Sequence, residues 1–287
     1  MKKYPVYDIQ RFNCNSVNSD LYLNTFKNHL IDHSFIEEPH RHNSYVLVFF
    51  TKGSGTHEID FDVFTIQAGT MFFLQPGQIH HWNLSDDVEG FVIFYSQEMY
   101  NLYFGQKTIG DYPFYSSVHN KPEMVFDLTE SKAILPYFNA MIAENKENQM
   151  FKQDKIMNLL DTIHIAIARK YTVTNLHEAH SYNVKIKSFE GLLEKNFKIE
   201  KTPSFYASQL YITLKHLNRI CNEILQKTTT EVITDRILLE AKRMLMDKKI
   251  TVNEIATALG YDDYSYFTRL FKKRTGITPS AFRIAKK

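Results

Sequence analysis

Four side chains near the C-terminus, Ser265, Thr268, Arg269 and Lys272, fall at i, i+3, i+4 and i+7. On a helix that spacing lines two hydroxyls, a guanidinium and an ammonium along one stripe. Such a stripe offers hydrogen bonds and positive charge together. An arginine can bond guanine with both arms, and lysines grip phosphate oxygens, so the natural partner is a nucleic acid. Tyr264 stands at the head of this segment and Lys273 extends its charge. A second stripe of the same spacing, Lys215, Asn218, Arg219 and Asn222, lies upstream. Its arginine suits guanine or phosphate, and its Asn218 suits adenine. A different chemistry is open to His40 and His42, which share one face if their segment is a strand. His80 could come round as a third nitrogen, with Trp82 beside it. Three imidazoles could hold a metal, or they could line a pocket and hydrogen-bond an organic ligand.

The elements that must carry the C-terminal stripe are legible. Thr251 and Glu254 form a capping box at a helix start. Ile255, Ala256 and Leu259 then share a face, and Gly260 can end the helix in a left-handed conformation. Asp262 or Asp263 can cap the next helix, whose Phe267, Leu270 and Phe271 face inward. Gly276 and Pro279 mark its end. The reading is helix, tight turn, helix, with a cationic outer face of the kind that enters a DNA major groove.

The upstream stripe belongs to a degenerate repeat. Ala207 and Leu210 correspond to Ala256 and Leu259 at an offset of 49, and Leu217, Arg219 and Cys221 to Phe267, Arg269 and Phe271 at an offset of 50. Leu217, Ile220, Cys221 and Ile224 form the inward set. Thr228 and Glu231 make a second capping box, opening a helix with Ile233, Ile237, Leu238, Ala241 and Leu245 on one side. A rigid helix between two such units would hold both stripes toward one face of a duplex, where successive major grooves lie about 34 Å apart. The first copy departs from the second: Tyr211 stands where the second has Gly260, Gln226 where it has Gly276, and Glu223 adds an acid. If those changes disable it, the first copy is structural and the second alone reads DNA.

The string SYFTRLFKKRTGITP from Ser265 to Pro279, preceded by EIATALGY, resembles the AraC-type transcription regulators. The N-terminal pieces PHRHN (Pro39–Asn43), GSGTHEIDF (Gly53–Phe61) and AGTMFFLQPGQIHHW (Ala68–Trp82) resemble, more loosely, the cupin-type sensor domain of the same family. The resemblance implies a DNA-binding C-terminal domain, a barrel with an effector pocket, dimerisation, and activation through RNA polymerase. Metal-binding cupins place a carboxylate shortly after the His-x-His. Here Val46 or Leu47 stands at that position, so no metal ligand set is assigned. His40, His42, His80 and Trp82 are assigned instead to an effector pocket; Phe49, Phe61, Phe73 and Trp82 could line an apolar wall of it, and core packing explains the same residues at least as well. His57 and His81 are expected to be exposed.

The totals agree with this division. The chain has 287 residues, 44% hydrophobic and 23% charged, with net charge +2. Residues 185–287 hold twenty Lys+Arg against eleven Asp+Glu, leaving fourteen against twenty-one in residues 1–184. A basic third attached to an acidic remainder marks one domain as the polyanion binder. Two cysteines make no disulfide framework. The N-terminus lacks the apolar core of a signal peptide, and the longest apolar run is far short of a membrane span, so the expected location is cytoplasmic. No Ser-His-Asp set, phosphate loop or paired catalytic carboxylates stand out; no enzyme activity and no cofactor are expected.

Residues 1–125 carry short strand-like runs between turns, at Tyr45–Phe50, His57–Ile66, Met71–Leu74 and Gly90–Tyr95, which suggests an antiparallel barrel or jelly roll. Residues 126–171 turn helical: Ile134, Leu135, Phe138, Met141 and Ile142, then Ile156, Leu159, Leu160, Ile163 and Ile167. In the family such helices make a dimer contact; packing on their own barrel explains the same stripes. Residues 172–184 read as a linker, and 185–287 as the DNA-binding domain. The fold class is therefore α+β in two domains: an N-terminal cupin-like antiparallel β-barrel with a helical appendage, and a C-terminal all-α domain with two helix-turn-helix units. The expected function is an effector-responsive, sequence-specific activator binding promoter DNA as a homodimer. The alternatives are a metal-dependent cupin enzyme with an attached DNA-binding domain, and a constitutive DNA-binding dimer with no effector.

Overall fold

The computed structural model describes residues 4–12, 20–33, 38–115, 121–147, 149–174, 184–247 and 249–285. The chain divides into two compact units, Pro5–Asn175 and a second made mainly of Leu176–Lys287. The first is β-rich and the second all helical. Most of the expected linker lies outside the described residues; residues 172–174 belong to the end of the preceding helix.

Among the described residues the first unit holds ten strands: β1 (Val6–Tyr7), β2 (Leu21–Thr25), β3 (His40–His42), β4 (Tyr45–Lys52), β5 (Gly55–Ile59), β6 (Asp62–Ile66), β7 (Thr70–Leu74), β8 (Ile79–Leu84), β9 (Glu89–Tyr95) and β10 (Glu123–Val125). They form two five-stranded sheets, in the orders β1-β3-β8-β5-β6 and β10-β7-β4-β9-β2. The pairings are antiparallel except β1 with β3, which is parallel. The sheets are two layers rather than one hydrogen-bonded ring, a correction to the barrel expected from the spacing of turns. Ile59, Ile66 and Trp82 of one sheet share a core with Val46, Val48, Phe50, Phe72, Leu74, Val92 and Phe94 of the other.

The second sheet is covered on its far side as well. Helices α3 (Leu128–Lys146) and α4 (Lys152–Thr174) place Ile134, Phe138, Met141, Ile156, Leu160, Ile163 and Ile167 against Tyr45, Leu47, Phe49, Phe73, Phe91, Ile93 and Tyr95. Strand side chains alternate faces, so β4 must be apolar at every position from Tyr45 to Phe50, and it is. Phe49 and Phe73 therefore point toward the helices and not between the sheets, which is the core-packing alternative and not the pocket lining. The run His57–Ile66 is no single strand either. A hairpin turn at Asp60, φ +54°, separates β5 from β6. The turn breaks a single alternation: Ile59 and Ile66 are buried, and Val63 is 65% exposed. Two short helices, α1 (Phe26–Asp32) and α2 (Gln97–Phe104), complete this unit; each opens on a hydroxyl cap, Thr25 and Ser96.

The second unit runs α5 (Val184–Asn196), α6 (Pro203–Gln209), α7 (Leu214–Leu225), α8 (Thr229–Leu245), α9 (Val252–Ala258), α10 (Tyr264–Thr275) and α11 (Pro279–Ala285). Central to it is α8, which packs against α6 and α7 on one side of the duplication and α9 and α11 on the other. Its core positions Ile233, Ile237, Leu238, Ala241 and Leu245 are all buried.

Candidate nucleic-acid interface

The two copies of the repeat fold alike, bond for bond. In the first, Leu210 N–H donates to the Tyr206 carbonyl and Ile212 N–H to the Ala207 carbonyl, at 3.1 and 3.0 Å. In the second, Leu259 N–H donates to Ile255 and Tyr261 N–H to Ala256, at 3.0 and 2.9 Å. Thr213 caps α7 through the His216 N–H, and Asp263 caps α10 through the Ser265 and Tyr266 N–H groups. Leu217, Ile220 and Cys221 are buried in one copy, Phe267 and Phe271 in the other, with Leu270 half-buried.

The two departures at glycine positions, Tyr211 and Gln226, keep the backbone conformation of the second copy. Tyr211 adopts φ +55° where Gly260 has +71°, and Gln226 adopts +54° where Gly276 has +82°. The turn and the helix stop are thus kept with side chains that pay a left-handed strain of about 1–2 kcal/mol each. Tyr211 can stand there because its side chain is 93% exposed. Gly260 has no such freedom: a Cβ on it would sit 2.1 Å from the Lys198 carbonyl oxygen. Lys201 Nζ closes the same contact, donating to the Gly260 carbonyl at 2.7 Å and lying 4.7 Å from the Tyr261 ring centre. Burial lowers the Lys201 pKa.

The stripes present themselves as spaced. Lys215, Arg219 and Asn222 on α7 are exposed, as are Tyr264, Ser265, Arg269, Lys272 and Lys273 on α10, while Thr268 is half-buried. Arg219 reaches Glu223 only at 3.9 Å, both side chains being about two-thirds exposed, and Arg269 reaches Asp263 at the same distance. Such solvated pairs are worth little, so neither arginine is tied down. Asn218 is placed differently from a base reader. Its side-chain carbonyl accepts the Thr229 N–H at 3.0 Å, capping the start of α8. At the corresponding point of the second copy stand Thr268 and Pro279, and proline has no N–H to offer. The sequence hint for this was present, an amide eleven residues before a helix start, but the outward spacing masked it. Glu231 at the first turn of α8 meets Arg274 at the last turn of α10, 3.4 Å apart, a link that the sequence reading missed.

The N-terminal unit gathers the other candidates between its sheets. His40 and His80 are direct cross-strand partners, and His42 lies two residues on, so all three face inward. Ring centres lie 4.4 Å apart for His40–His80, 4.8 Å for His40–His42 and 5.0 Å for His42–His80. Trp82 stands 4.8 Å from His80. His57, expected at the surface, is fully buried beside them on β5, because Glu58 and not His57 takes the outer face; His81 is half-buried. His57 Nε2 is 3.0 Å from His80 Nδ1, and His40 Nδ1 is 2.8 Å from the Glu38 carbonyl oxygen. Burial pushes the His40 pKa down to about 4 and holds His42, His57 and His80 well below the usual imidazole range. These rings are neutral at pH 7.

Comparison with known proteins follows the same division. Residues 206–285 match the family described as a helix-turn-helix domain, and residues 21–160 match the AraC-like ligand binding domain. The chain belongs to the AraC family. This AraC-family chain is a DNA-binding transcription regulator with a ligand-binding-type domain at its N-terminal side. Among curated relatives it is similar to the HTH-type transcriptional activator RhaR of Mannheimia succiniciproducens, at 22% identity over 85% of this chain and 86% of the relative. It is likewise similar to the arabinose operon regulatory protein of Salmonella typhimurium, at 23% identity over 87% of this chain and 86% of that one. A solved structure of ToxT from Vibrio cholerae aligns over 92% of this chain and 98% of its own, at 11% identity and TM-score 0.46. Among the described residues no helix is long and apolar enough to cross a membrane.

Proposed function

We propose that this AraC-family chain is an effector-responsive activator that seats α7 and α10 in successive major grooves of promoter DNA. The observation that carries the reading is the equivalence of the two helix-turn-helix units: the same turn bonds, the same left-handed positions and the same exposed cationic stripe, mounted on one helix, α8. A purely structural first repeat has no reason to keep Lys215, Arg219 and Asn222 exposed at recognition spacing. In this reading Arg219 and Arg269 contact base edges, Ser265, Asn222 and Tyr264 add hydrogen bonds, and Lys215, Lys272 and Lys273 hold phosphates; Thr268, whose Oγ1 is buried, makes no DNA contact. Asn218 fixes the angle between α7 and α8. An effector bound between the sheets, with His40, His42, His80 and Trp82 among its contacts, would set the regulatory state. The relatives named above are activators or operon regulators, which supports activation through RNA polymerase and a sensor rather than a catalytic role for the buried histidines. Helices α3 and α4 spend their apolar stripes on their own sheet, so a homodimer must use the remaining faces; sedimentation of the full chain tests it.

The deciding experiment is selection of random duplex DNA by the full chain. Two enriched blocks about one helical turn apart are expected; a single block would reduce the first repeat to support. On the selected duplex, Arg269→Ala and Arg219→Ala should each cost about 1–3 kcal/mol and relax the preference in their own block. Equal losses on selected and scrambled duplexes would make them phosphate contacts instead.

A further inference from the structure

We propose that His40, His42 and His80 form a three-imidazole site for a divalent transition metal of the zinc type, and that this cation is a regulatory ligand of the chain. The first part stands on geometry alone; the second rests on the regulator reading above.

One nitrogen from each of the three rings lies within 4.8 Å of the others. Nitrogens on a tetrahedral zinc sit about 3.4 Å apart, given bonds of about 2.0–2.1 Å, so a small inward rotation of the rings completes the set. Their scaffold is stiff: two ligands are paired across β3 and β8, and the third is on β3. The rings are also oriented from behind. His40 gives its Nδ1 to the Glu38 carbonyl and His80 gives its Nδ1 to His57, which leaves Nε2 of each for a partner. A backbone carbonyl or second side chain holding the far nitrogen is how metal-binding histidines are fixed in tautomer and direction.

The same nitrogens are what protein groups leave unanswered. His40 Nε2 and His80 Nε2 are buried without a hydrogen-bond partner, and His42 has no more than the Tyr7 backbone for its two nitrogens. His40, His42 and His80 are 0%, 3% and 1% exposed. One orphaned buried nitrogen costs about 1–3 kcal/mol, and packing of ring against ring does not satisfy a lone pair. Several orphans converging on one point are better explained by a shared ligand than by three separate lapses. Neutral imidazoles with no carboxylate favour zinc, copper, nickel or ferrous iron over calcium or magnesium. Three protein ligands leave a fourth position open to water or a small anion. Phe94, 4.7 Å from His42, and Trp82 wall the cluster in.

Cobalt is the direct probe, because four-coordinate Co²⁺ absorbs strongly in the visible. Full-length protein freed of metal with a chelator is titrated with Co²⁺ and then with Zn²⁺. One ion per chain is expected, with a four-coordinate Co²⁺ band that Zn²⁺ abolishes. His42→Gln and His80→Gln should lose the band. His57→Gln should keep it while weakening binding about 10–100-fold, as loss of a supporting partner does; a merely structural role for His57 would not move that affinity. Wild-type stoichiometry decides even where a ligand variant fails to fold. Less than one ion per chain at micromolar metal overturns the site, as does a band unchanged in His42→Gln and His80→Gln. Affinity for the selected duplex is then measured with and without Zn²⁺, and a change of about 10-fold is expected. Metal binding with no change in duplex affinity overturns the regulatory part alone. Metal binding by a chain that selects no duplex at all sinks the regulator reading and leaves the site standing.

Discussion

Gly260 and Tyr211 occupy the same left-handed turn of two copies of one motif, yet only one of them is replaceable. At Gly260 the constraint is twofold, φ +71° and the Lys198 carbonyl 2.1 Å from where a Cβ would lie. Gly276 carries only the first, φ +82° with open space around it. Gly276→Ala should therefore cost about 1 kcal/mol, the strain of an L-residue in that region, and Gly260→Ala well over 2 kcal/mol because backbone must also move. Urea titration of the two variants checks the order; equal losses would mean that the Lys198 contact yields easily. The converse change should stabilise. Gln226 sits at φ +54° at the end of α7 and is exposed. Gln226→Gly relieves about 1–2 kcal/mol of strain and returns about 0.5–1 kcal/mol as chain entropy, a net gain of roughly 0.5–1 kcal/mol. A lower urea midpoint in that variant would show that the glutamine side chain contributes contacts that outweigh its strain.

At the scale of elements, α8 does the positioning, and its hold on α5 runs through one buried cation. Arg236 is 6% exposed; it bonds Glu194 on α5 at 2.7 Å and Glu240 on α8 at 3.2 Å. Its guanidinium also stacks 4.0 Å from the Phe197 ring centre. Removing one member of a buried ion pair costs about 3–5 kcal/mol, since the partner's charge is left behind. Both glutamates here keep some exposure, which puts Arg236→Ala near the low end, about 3 kcal/mol, in the thermal unfolding of the C-terminal unit. A loss under 1 kcal/mol would mean that α5 is dispensable to α8. None of this was legible in advance. Arg236 looks like any surface arginine, and its partners lie 42 residues upstream and one helical turn downstream. The caps and the repeat were legible because they are local: Thr251 with Glu254, Thr228 with Glu231, and the common offset between the copies. The sheet faces were not. A run such as Tyr45–Phe50, apolar throughout, carries no parity, and which face meets the helices depends on α3 and α4, far along the chain. His57 was legible and was missed: it shares a face of β5 with Ile59, ahead of the turn at Asp60, so the alternation that buries Ile59 buries it too. His40 and His42 were found because a two-residue step on a strand fixes their common face whatever covers it, and His80 joins them as the cross-strand partner of His40.

For the molecule as a whole, the first unit carries an acid sensitivity built on buried histidines. His29 and His164 are fully buried, and burial pushes the pKa of each down to about 3. His29 Nδ1 is held by the Tyr22 hydroxyl at 2.9 Å, and His164 Nε2 by the Tyr95 hydroxyl at 2.9 Å. In the unfolded chain each would titrate near 6.5. The folded value is the depressed one, so above 6.5 neither state binds the proton and stability is at its full value. Below 6.5 the unfolded chain takes up protons that the fold refuses, and stability falls until the folded rings themselves titrate near 3. The slope is about 1.4 kcal/mol per pH unit for each histidine. Trp82 is the chain's one tryptophan and is buried in this unit, so its fluorescence reports this transition alone. Urea midpoints of the full chain, followed at Trp82 in chelator from pH 7 to pH 5, should fall steeply. In His164→Gln the fall should be shallower by about 1.4 kcal/mol per unit. Parallel lines for the two proteins would mean that His164 titrates in the folded unit as it does in the unfolded chain.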